Sequence, residues 1–341
     1  MALDFRSIRR RLRGFASGAA IVAATLVTAT MPSLAQGPQA AQPHRAAAKA
    51  AAGEKFTGLY TATCGADAAA ATPAPARARP AGGGPPDRAE WYAPPHQVFD
   101  NLYWVGTKEH SAWALKTSEG IILLDTLYSY AVEAEIVDGL KTLGLDPASI
   151  KYVIISHAHG DHDQGAALLQ SRFGTKVVMG APDWATTVAR TTYAGGVAKR
   201  DIEAVDGQKI TLGDTSVTLV TTPGHTLGTL SLLFPVKDHG RTLTVAYSGG
   251  TTFNFQHTAE RFDTYIASQQ KFAKAAAAAG ATVVLSNHSV FDHAVEYAPK
   301  AMEKRADGKP HVFEVGKQGV ANYLKVLEEC AVATKTAEFG K

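Results

Sequence analysis

The feature that most constrains this chain of 341 residues is a short run of histidines and aspartates that follows an apolar segment. The spacing is H-x-H-x-D-H, and its members are His157, His159, Asp161 and His162. Imidazole nitrogen and carboxylate oxygen are zinc ligands, and four of them within six positions are not typical of a surface loop. Residues 152–155 predict a strand before the run, and residues 164–170 predict a helix after it. The run is therefore expected at the carboxyl end of a strand, where open α/β sheets place their sites.

Two more histidines also follow predicted strands. His225 stands in the turn at residues 222–226, after an apolar strand, and His288 follows the apolar residues 282–285. We expect one zinc ion on three histidines and a second on three other ligands, each ion keeping an open position. The first set is His157, His159 and His225, and the second is Asp161, His162 and His288. A structural zinc would need four ligands, usually with Cys, and no Cys is near. His110 and His257 are further candidates for lining a pocket.

The amino terminus predicts a signal peptide over residues 1–35. A basic segment precedes the apolar residues 15–29, and Ser33-Leu34-Ala35 fits a cleavage site. The apolar segment is short for a membrane anchor, and the Arg10-Arg11 pair matches only part of a twin-arginine signal. Residues 36–88, rich in Ala, Pro and Gly, predict a flexible leader. The expected location is the periplasm or the outside of the cell.

Charge and cysteine content limit the partners. Removing residues 1–35 takes five Arg and one Asp from 34 basic and 31 acidic residues, which leaves a net charge of −1. No basic run then remains to bind nucleic acid, so a small molecule is the expected partner. Cys64 and Cys330 either form a disulfide or remain two separate thiols.

From residue 91 onward, strands and helices alternate in two blocks. Strands are predicted at 102–105, 113–116, 121–124, 152–155, 176–179, 209–212, 216–221, 228–234, 243–247 and 282–285, with helices at 131–143, after Pro182, at 260–279 and at 320–333. This order predicts an α/β fold in which two sheets lie face to face with helices outside.

These motifs resemble the metallo-β-lactamase superfamily over about residues 91–333. The signature of that superfamily is H-x-H-x-D-H followed by two further histidines. Five blocks are similar to subclass B3 metallo-β-lactamases: residues 101–107, 116–125, 156–165, 222–226 and 287–288. The resemblance implies a periplasmic enzyme with an αββα sandwich over residues 89–341. It also implies two zinc ions held by the six ligands named above.

One position separates the branches of this superfamily. Glyoxalase II, lactonases and zinc-dependent RNases have an Asp that bridges the metals, and subclass B1 enzymes have a Cys. Residues 245–251 of this chain contain neither. The resemblance is therefore to subclass B3, which implies β-lactam hydrolysis by a hydroxide held between the zinc ions. Asp161 would hold the second zinc and orient the hydroxide, and Thr251 or Thr252 would bind the substrate carboxylate.

Several positions depart from the B3 pattern, and they lie along the expected pocket wall: Gly160, Asp163, Gln164, Leu227 and Gly250. These departures leave open a zinc hydrolase for another ester, lactone or amide. A binding protein without turnover is a third alternative, although it has no need for open metal positions. RNA processing is disfavoured by the export signal and by the lack of a basic surface.

Overall fold

The computed structural model describes residues 36–65, 85–190, 193, 195–306 and 308–340. The predicted signal peptide lies outside the described residues, as do residues 66–84 of the predicted leader. The strands are β1 His96–Phe99, β2 Leu102–Trp104, β3 Trp113–Thr117, β4 Gly120–Leu124, β5 Ile150–Ile154, β6 Lys176–Gly180, β7 Ile202–Ala204, β8 Lys209–Leu212, β9 Thr215–Thr221, β10 Leu230–Asp238, β11 Arg241–Ser248 and β12 Val283–Ser286.

These strands form two mixed sheets. Within the described ranges, the first sheet has seven strands in the order β1-β2-β3-β4-β5-β6-β7, and the second has five in the order β12-β11-β10-β9-β8. Strands β4 to β7 pair in parallel, as do β11 and β12, and the remaining neighbours are antiparallel. The carboxyl ends of the parallel strands therefore meet at one edge of each sheet.

The helices are α1 Gln36–Ala40, α2 Gln42–Ala52, α3 Thr57–Cys64, α4 Arg88–Trp91, α5 Asp138–Thr142, α6 Gly160–Asp163, α7 Ala166–Phe173, α8 Ala181–Val188, α9 Ala259–Ala278, α10 Ser289–Asp292, α11 Ala294–Tyr297 and α12 Gly316–Phe339. Of these, α5, α7 and α8 cover the outer face of the first sheet, and α9 and α12 cover that of the second. The helix predicted at 131–143 begins as a π-helical turn, Val132–Val137, and continues as α5. None of the helices in the described part of the chain is both long enough and apolar enough to cross a bilayer.

Three apolar clusters hold the layers together. The central cluster lies between the sheets and includes Trp104, Trp113, Phe234 and Tyr247. One outer cluster joins the second sheet to α9 and α12, and the other joins the first sheet to α5, α7 and α8. Each sheet is therefore buried on both faces, and the αββα sandwich predicted from the sequence is confirmed.

The leader differs from the prediction over residues 36–65. These residues form α1, α2 and α3, which pack on α12, and they belong to the same compact unit as the sheets. Ala48, Phe56 and Leu59 are buried in the outer cluster, and a disulfide joins Cys64 to Cys330 of α12. Alanine-rich composition indicated flexibility, but a buried face and a covalent link to α12 order this segment.

Candidate metal centre

The predicted ligands lie where strands of both sheets end. The run that begins at His157 follows β5, while His225 follows β9 and His288 follows β12. The backbone N–H of Leu230, at the start of β10, donates to the carbonyl of Ser156 at 2.8 Å. This bond joins the second sheet to the segment that leaves the first, so ligands from distant parts of the chain converge.

The first predicted set comes together as a compact group. Nε2 of His225 lies 3.0 Å from Nε2 of His157 and 3.1 Å from Nδ1 of His159. Zinc–nitrogen bonds of about 2.0–2.1 Å in a tetrahedral site separate neighbouring ligand atoms by about 3.3 Å. The spacing of these three nitrogens therefore fits a single divalent ion.

Backbone carbonyls orient two of these rings. Nδ1 of His157 lies 2.7 Å from the carbonyl oxygen of Gly249, and Nδ1 of His225 lies 2.7 Å from that of Thr252. Because a carbonyl oxygen only accepts, each Nδ1 must donate. The lone pair of each ring is therefore left on Nε2, which is the atom that faces the group.

The protonation of the first group also suits metal binding. Burial lowers the pKa of His159 to about 4 and that of His225 to about 3. Burial, followed by the neighbouring histidines, lowers the pKa of His157 well below its ordinary value. All three imidazoles are therefore neutral near pH 7, which is the form that coordinates a metal.

A second group forms around the carboxylate of Asp161. Its Oδ2 atom lies 3.1 Å from Nε2 of His162 and 3.5 Å from Nε2 of His288, and these two nitrogens are 3.3 Å apart. The three predicted ligands thus have the spacing of a second divalent site. His110, which sequence analysis placed only as a candidate pocket residue, also faces this group: its Nε2 lies 3.4 Å from Oδ2 of Asp161.

Asp125 supports the second group from behind. It is fully buried, and Oδ2 of its carboxylate lies 3.1 Å from Nδ1 of His162. The same carboxylate accepts hydrogen bonds from the backbone N–H of Ser156 at 2.6 Å and from the hydroxyls of Ser156 and Tyr247 at 2.8 Å. Asp125 ends the block of residues 116–125, whose pattern predicts no role for it. Only the packing of β4 beside β5 brings it to His162.

The end of β11 has no room for a bridging side chain. A Cβ atom at Gly249 would lie 1.7 Å from the carbonyl oxygen of Leu230, and one at Gly250 would lie 2.6 Å from Cβ of His225. Both positions therefore require glycine. At these two positions, the close approach of Leu230 and His225 leaves no room for the side chain of an Asp or a Cys.

A cavity of about 290 Å³ opens beside the first group. His159 and His225 line it, together with Leu227 and the guanidinium groups of Arg190 and Arg261. Arg261 donates to the carbonyl of Gly224 at 2.6 Å, and Arg190 donates to that of Ala158 at 2.5 Å. Both cations are thus anchored to backbone beside the predicted histidine ligands. Asp183 also lines the cavity, but its carboxylate accepts hydrogen bonds from Ala158, Thr226 and Gly228, so the guanidinium groups can pair with a negatively charged ligand.

Two predicted pocket residues lie elsewhere. Thr251 was expected to contact the substrate, but its hydroxyl is buried and is not available to one. Thr252 is half-buried, and its carbonyl oxygen orients His225. A contact between its side chain and a substrate stays a prediction. His257 pairs with Glu338 of α12 at 2.8 Å instead of lining the cavity. The position of His257 thus depends on α12, which is distant in sequence.

Comparison with known proteins agrees with this architecture. The family model of the metallo-β-lactamase superfamily matches residues 105–240. The subclass B3 metallo-β-lactamase BJP-1 of Bradyrhizobium japonicum aligns with a TM-score of 0.59 and 29% identity, covering 70% of this chain and 93% of that one. A metallo-β-lactamase of Cronobacter sakazakii aligns with a TM-score of 0.57 and 25% identity, covering 68% and 93%. FEZ-1 of Legionella gormanii shares the fold. It aligns with a TM-score of 0.60 and 23% identity, covering 69% of this chain and 92% of that one.

Curated relatives match over shorter stretches. A hydroxyacylglutathione hydrolase of Acidiphilium cryptum is 34% identical over 85 residues, which is 25% of this chain and 31% of the relative. The N-acyl homoserine lactonase AttM of Agrobacterium fabrum is 32% identical over 115 residues, 28% of this chain and 40% of the relative. The chain thus spans about a third of the length of these relatives. In its matched sequence, its αββα fold and its converging ligand groups, the chain resembles the metallo-β-lactamase superfamily of metallohydrolases and, within it, subclass B3.

Proposed function

We propose that this protein is a hydrolase that binds two zinc ions and opens the amide of a β-lactam. The observation that carries the proposal is the convergence of the six predicted ligands into two groups, in which neighbouring ligand atoms lie 3.0–3.5 Å apart, beside a strand end with no room for a bridging carboxylate at Gly249 or Gly250. Three imidazoles form one group, and two imidazoles with a carboxylate form the other. These donors suit Zn²⁺ better than Mg²⁺ or Ca²⁺, which prefer oxygen ligands.

Each part of the site has a distinct task in this proposal. When bound, zinc supplies Lewis-acid polarisation of a carbonyl and makes water reactive at neutral pH. The neutral rings of His157, His159 and His225 hold one ion, and Asp161, His162 and His288 hold the other. Burial raises the pKa of Asp161, but the neighbouring histidines, His162 first, lower it by more. The net pKa lies well below the ordinary value, so the carboxylate stays ionised. Asp161 is therefore a negatively charged ligand able to accept a hydrogen bond from the attacking water.

The cavity supports a substrate that carries a carboxylate next to the reacting bond. Arg190 and Arg261 line its wall on the side of the first group. A carboxylate placed between them would be bound by charge-assisted hydrogen bonds and would leave the adjacent carbonyl near His159 and His225. β-Lactams have this combination of an amide carbonyl and a nearby carboxylate.

A lactone or thioester is the second candidate substrate class. The curated relatives are named as hydroxyacylglutathione hydrolases and N-acyl homoserine lactonases, at 34% identity over 85 residues and 32% identity over 115 residues. The exposed side chain of Leu227 on the rim of the cavity also offers an apolar surface to an acyl chain. The lack of a bridging carboxylate favours the β-lactam.

Purified protein should be assayed with a carbapenem, a cephalosporin, an acyl homoserine lactone and an acylglutathione thioester, with and without a chelator. We expect chelator-sensitive hydrolysis, with the highest kcat/KM for a β-lactam. His159→Ala should lower the zinc content and reduce turnover to background in a protein that remains folded by circular dichroism. His44→Ala, which removes a histidine that pairs with Glu329 of α12, is the matched control.

The outcomes separate the candidates. A higher kcat/KM for the lactone or the thioester would transfer the proposal to the second substrate class. Full activity of His159→Ala, or activity unaffected by the chelator, would refute the metal mechanism. Two bound zinc ions without turnover of any of the four substrates would favour a binding protein.

We further propose that the protein is exported to the periplasm or secreted. The signal-like residues 1–35 motivate this proposal. The disulfide between Cys64 and Cys330 supports it, because disulfides persist in oxidising compartments. In a bacterial periplasm, β-lactam hydrolysis would confer antibiotic resistance.

A further inference from the structure

The turn between β2 and β3 carries a histidine toward the second group of ligands. Within this turn, the backbone N–H of Thr107 donates to the carbonyl of His110 at 2.7 Å, and the N–H of His110 donates back to the hydroxyl of Thr107 at 2.9 Å. The turn is therefore closed by its own hydrogen bonds.

The same turn is hydrogen-bonded to the end of β12. His110 and His288 form an isolated antiparallel bridge. On either side of that bridge, the N–H of Ser111 donates to Asn287 at 2.9 Å and the N–H of Ser289 donates to Glu109 at 3.0 Å. The backbone of His110 is thus held directly beside that of a predicted metal ligand.

The imidazole of His110 is largely buried and confined by two rings. It meets Tyr128 edge-on at a centroid distance of 5.3 Å and His288 at 5.0 Å. Its Nδ1 faces the hydroxyl of Thr107 at 3.5 Å. The opposite nitrogen, Nε2, faces Oδ2 of Asp161 at 3.4 Å.

Three imidazole nitrogens therefore surround one carboxylate oxygen. The distances from Oδ2 of Asp161 are 3.1 Å to His162, 3.4 Å to His110 and 3.5 Å to His288. All three are close to the ligand separation of about 3.3 Å expected around zinc. One coordinating atom from each of His110, Asp161 and His288 also lies within 4.8 Å of the others.

We propose that His110 is a fourth protein ligand of the second metal ion, through Nε2, together with Asp161, His162 and His288. This inference rests on the proposed function, because it concerns the same pair of ions. A fourth protein ligand would bind the second ion more tightly and leave it fewer positions for solvent or substrate than the first ion, which three histidines hold. The second ion would then mainly have a structural role, and the first ion, next to the cavity, would be the one more open to substrate.

The test measures the two zinc affinities separately. Metal-free full-length protein is titrated with zinc against a chromophoric chelator, for the wild type and for His110→Phe. The phenylalanine ring keeps the packing against Tyr128 and removes both nitrogens. We expect the second equivalent to bind about ten- to a hundredfold more weakly in the variant, with the first unchanged. His44→Phe should bind both equivalents as the wild type does.

A second measurement needs no variant. In ¹H–¹⁵N long-range NMR spectra of the wild type, binding of the second equivalent should shift Nε2 of His110 together with that of His288. Equal affinities in His110→Phe and the wild type, or a His110 resonance that does not shift, would overturn this inference and leave the proposed function standing. A wild type that binds fewer than two ions would overturn both.

Discussion

At the scale of single residues, Asp125 has an unusual backbone conformation as well as a central position. Its φ of 61° lies in the left-handed region, which Asn and Asp adopt more readily than other non-glycine residues. Its carboxylate gathers hydrogen bonds from Ser156 and Tyr247 and faces Nδ1 of His162. A carboxylate in this place sets the ring orientation of a ligating histidine and increases its basicity.

Asp125→Asn should therefore weaken metal binding without disturbing the backbone. We expect zinc affinity at the second group to fall about ten- to a hundredfold, because the amide cannot stabilise His162 as a carboxylate does. Competitive zinc titration measures the change, and Asp146→Asn, at an exposed N-cap, is the control. Unchanged affinity for the second equivalent would show that Asp125 only supports the fold.

Glu135 is a residue whose ionisation is expected to affect stability. It is fully buried in the π-helical turn 132–137, and Oε1 accepts a hydrogen bond from the N–H of Ala93 at 3.1 Å. Burial raises the pKa of Glu135 from 4.5 to about 8, against the lowering effects of that bond and of Arg88. The folded protein thus keeps the carboxyl group of Glu135 protonated. The stability that this protonation contributes is fully present below pH 4.5 and is lost as the pH rises through about 8.

Glu135→Gln should remove this pH dependence. Between pH 5 and pH 8, the unfolding free energy of the variant relative to the wild type should rise by about 3–4 kcal/mol, because the amide does not ionise. Urea denaturation at the two pH values measures this difference. If the unfolding free energies of the two proteins changed equally between pH 5 and pH 8, ionisation of the Glu135 carboxyl group would not destabilise the folded protein.

At the scale of elements, the three amino-terminal helices depend on α12. Their apolar side chains complete the outer cluster around Tyr323 and Leu327, and Phe56 packs edge-on against Tyr323 at 5.3 Å. Helices as short as α1 and α3 are not stable alone in water, so packing and the disulfide must hold them. Cys64 and Cys330 are separated by 266 positions, so the covalent loop that their bond closes contains the strands of both sheets.

Removing the disulfide should loosen this segment first. The double variant Cys64→Ala/Cys330→Ala should lose about 2–4 kcal/mol of unfolding free energy. Limited proteolysis should cut residues 36–65 faster than in the wild type, because the helices then separate from α12 without unfolding the sheets. Equal cleavage rates would show that apolar packing alone holds the helices.

At the scale of the whole molecule, export can be tested apart from chemistry. We expect the full chain, expressed in a Gram-negative bacterium, to be recovered from the periplasm with Gln36 as its first residue and with Cys64 bonded to Cys330. Fractionation with mass spectrometry, before and after reduction, measures both. Cytoplasmic protein that keeps residues 1–35 would contradict the proposal.

The sequence was most informative where the signal is local. The spacing of His157 to His162 and the apolar runs before them predicted a strand, a loop and a ligand set. The structure places β5, β9 and β12 as the patterns indicated, within a few residues at each end. Hydrophobic periodicity and turn residues are local properties, so a single sequence expresses them directly.

Other features depend on contacts that no local pattern encodes. His110 stands in a turn without a recognisable motif, and only its bridge to His288 brings it to Asp161. Thr251 was expected in the pocket, but its hydroxyl is buried by the packing around the end of β11. Alanine-rich residues 36–65 looked flexible because their composition does not show that α12 offers a partner surface.

The candidate ligand types, their spacing and the order of strands and helices can be predicted from local sequence, since each of these is set by neighbouring residues. Which side chains meet cannot, because strand pairing and helix packing bring together residues that are far apart in the chain. The approach of His110 to Asp161, the carboxylate behind His162 and the ordering of the amino-terminal helices all follow from that long-range packing.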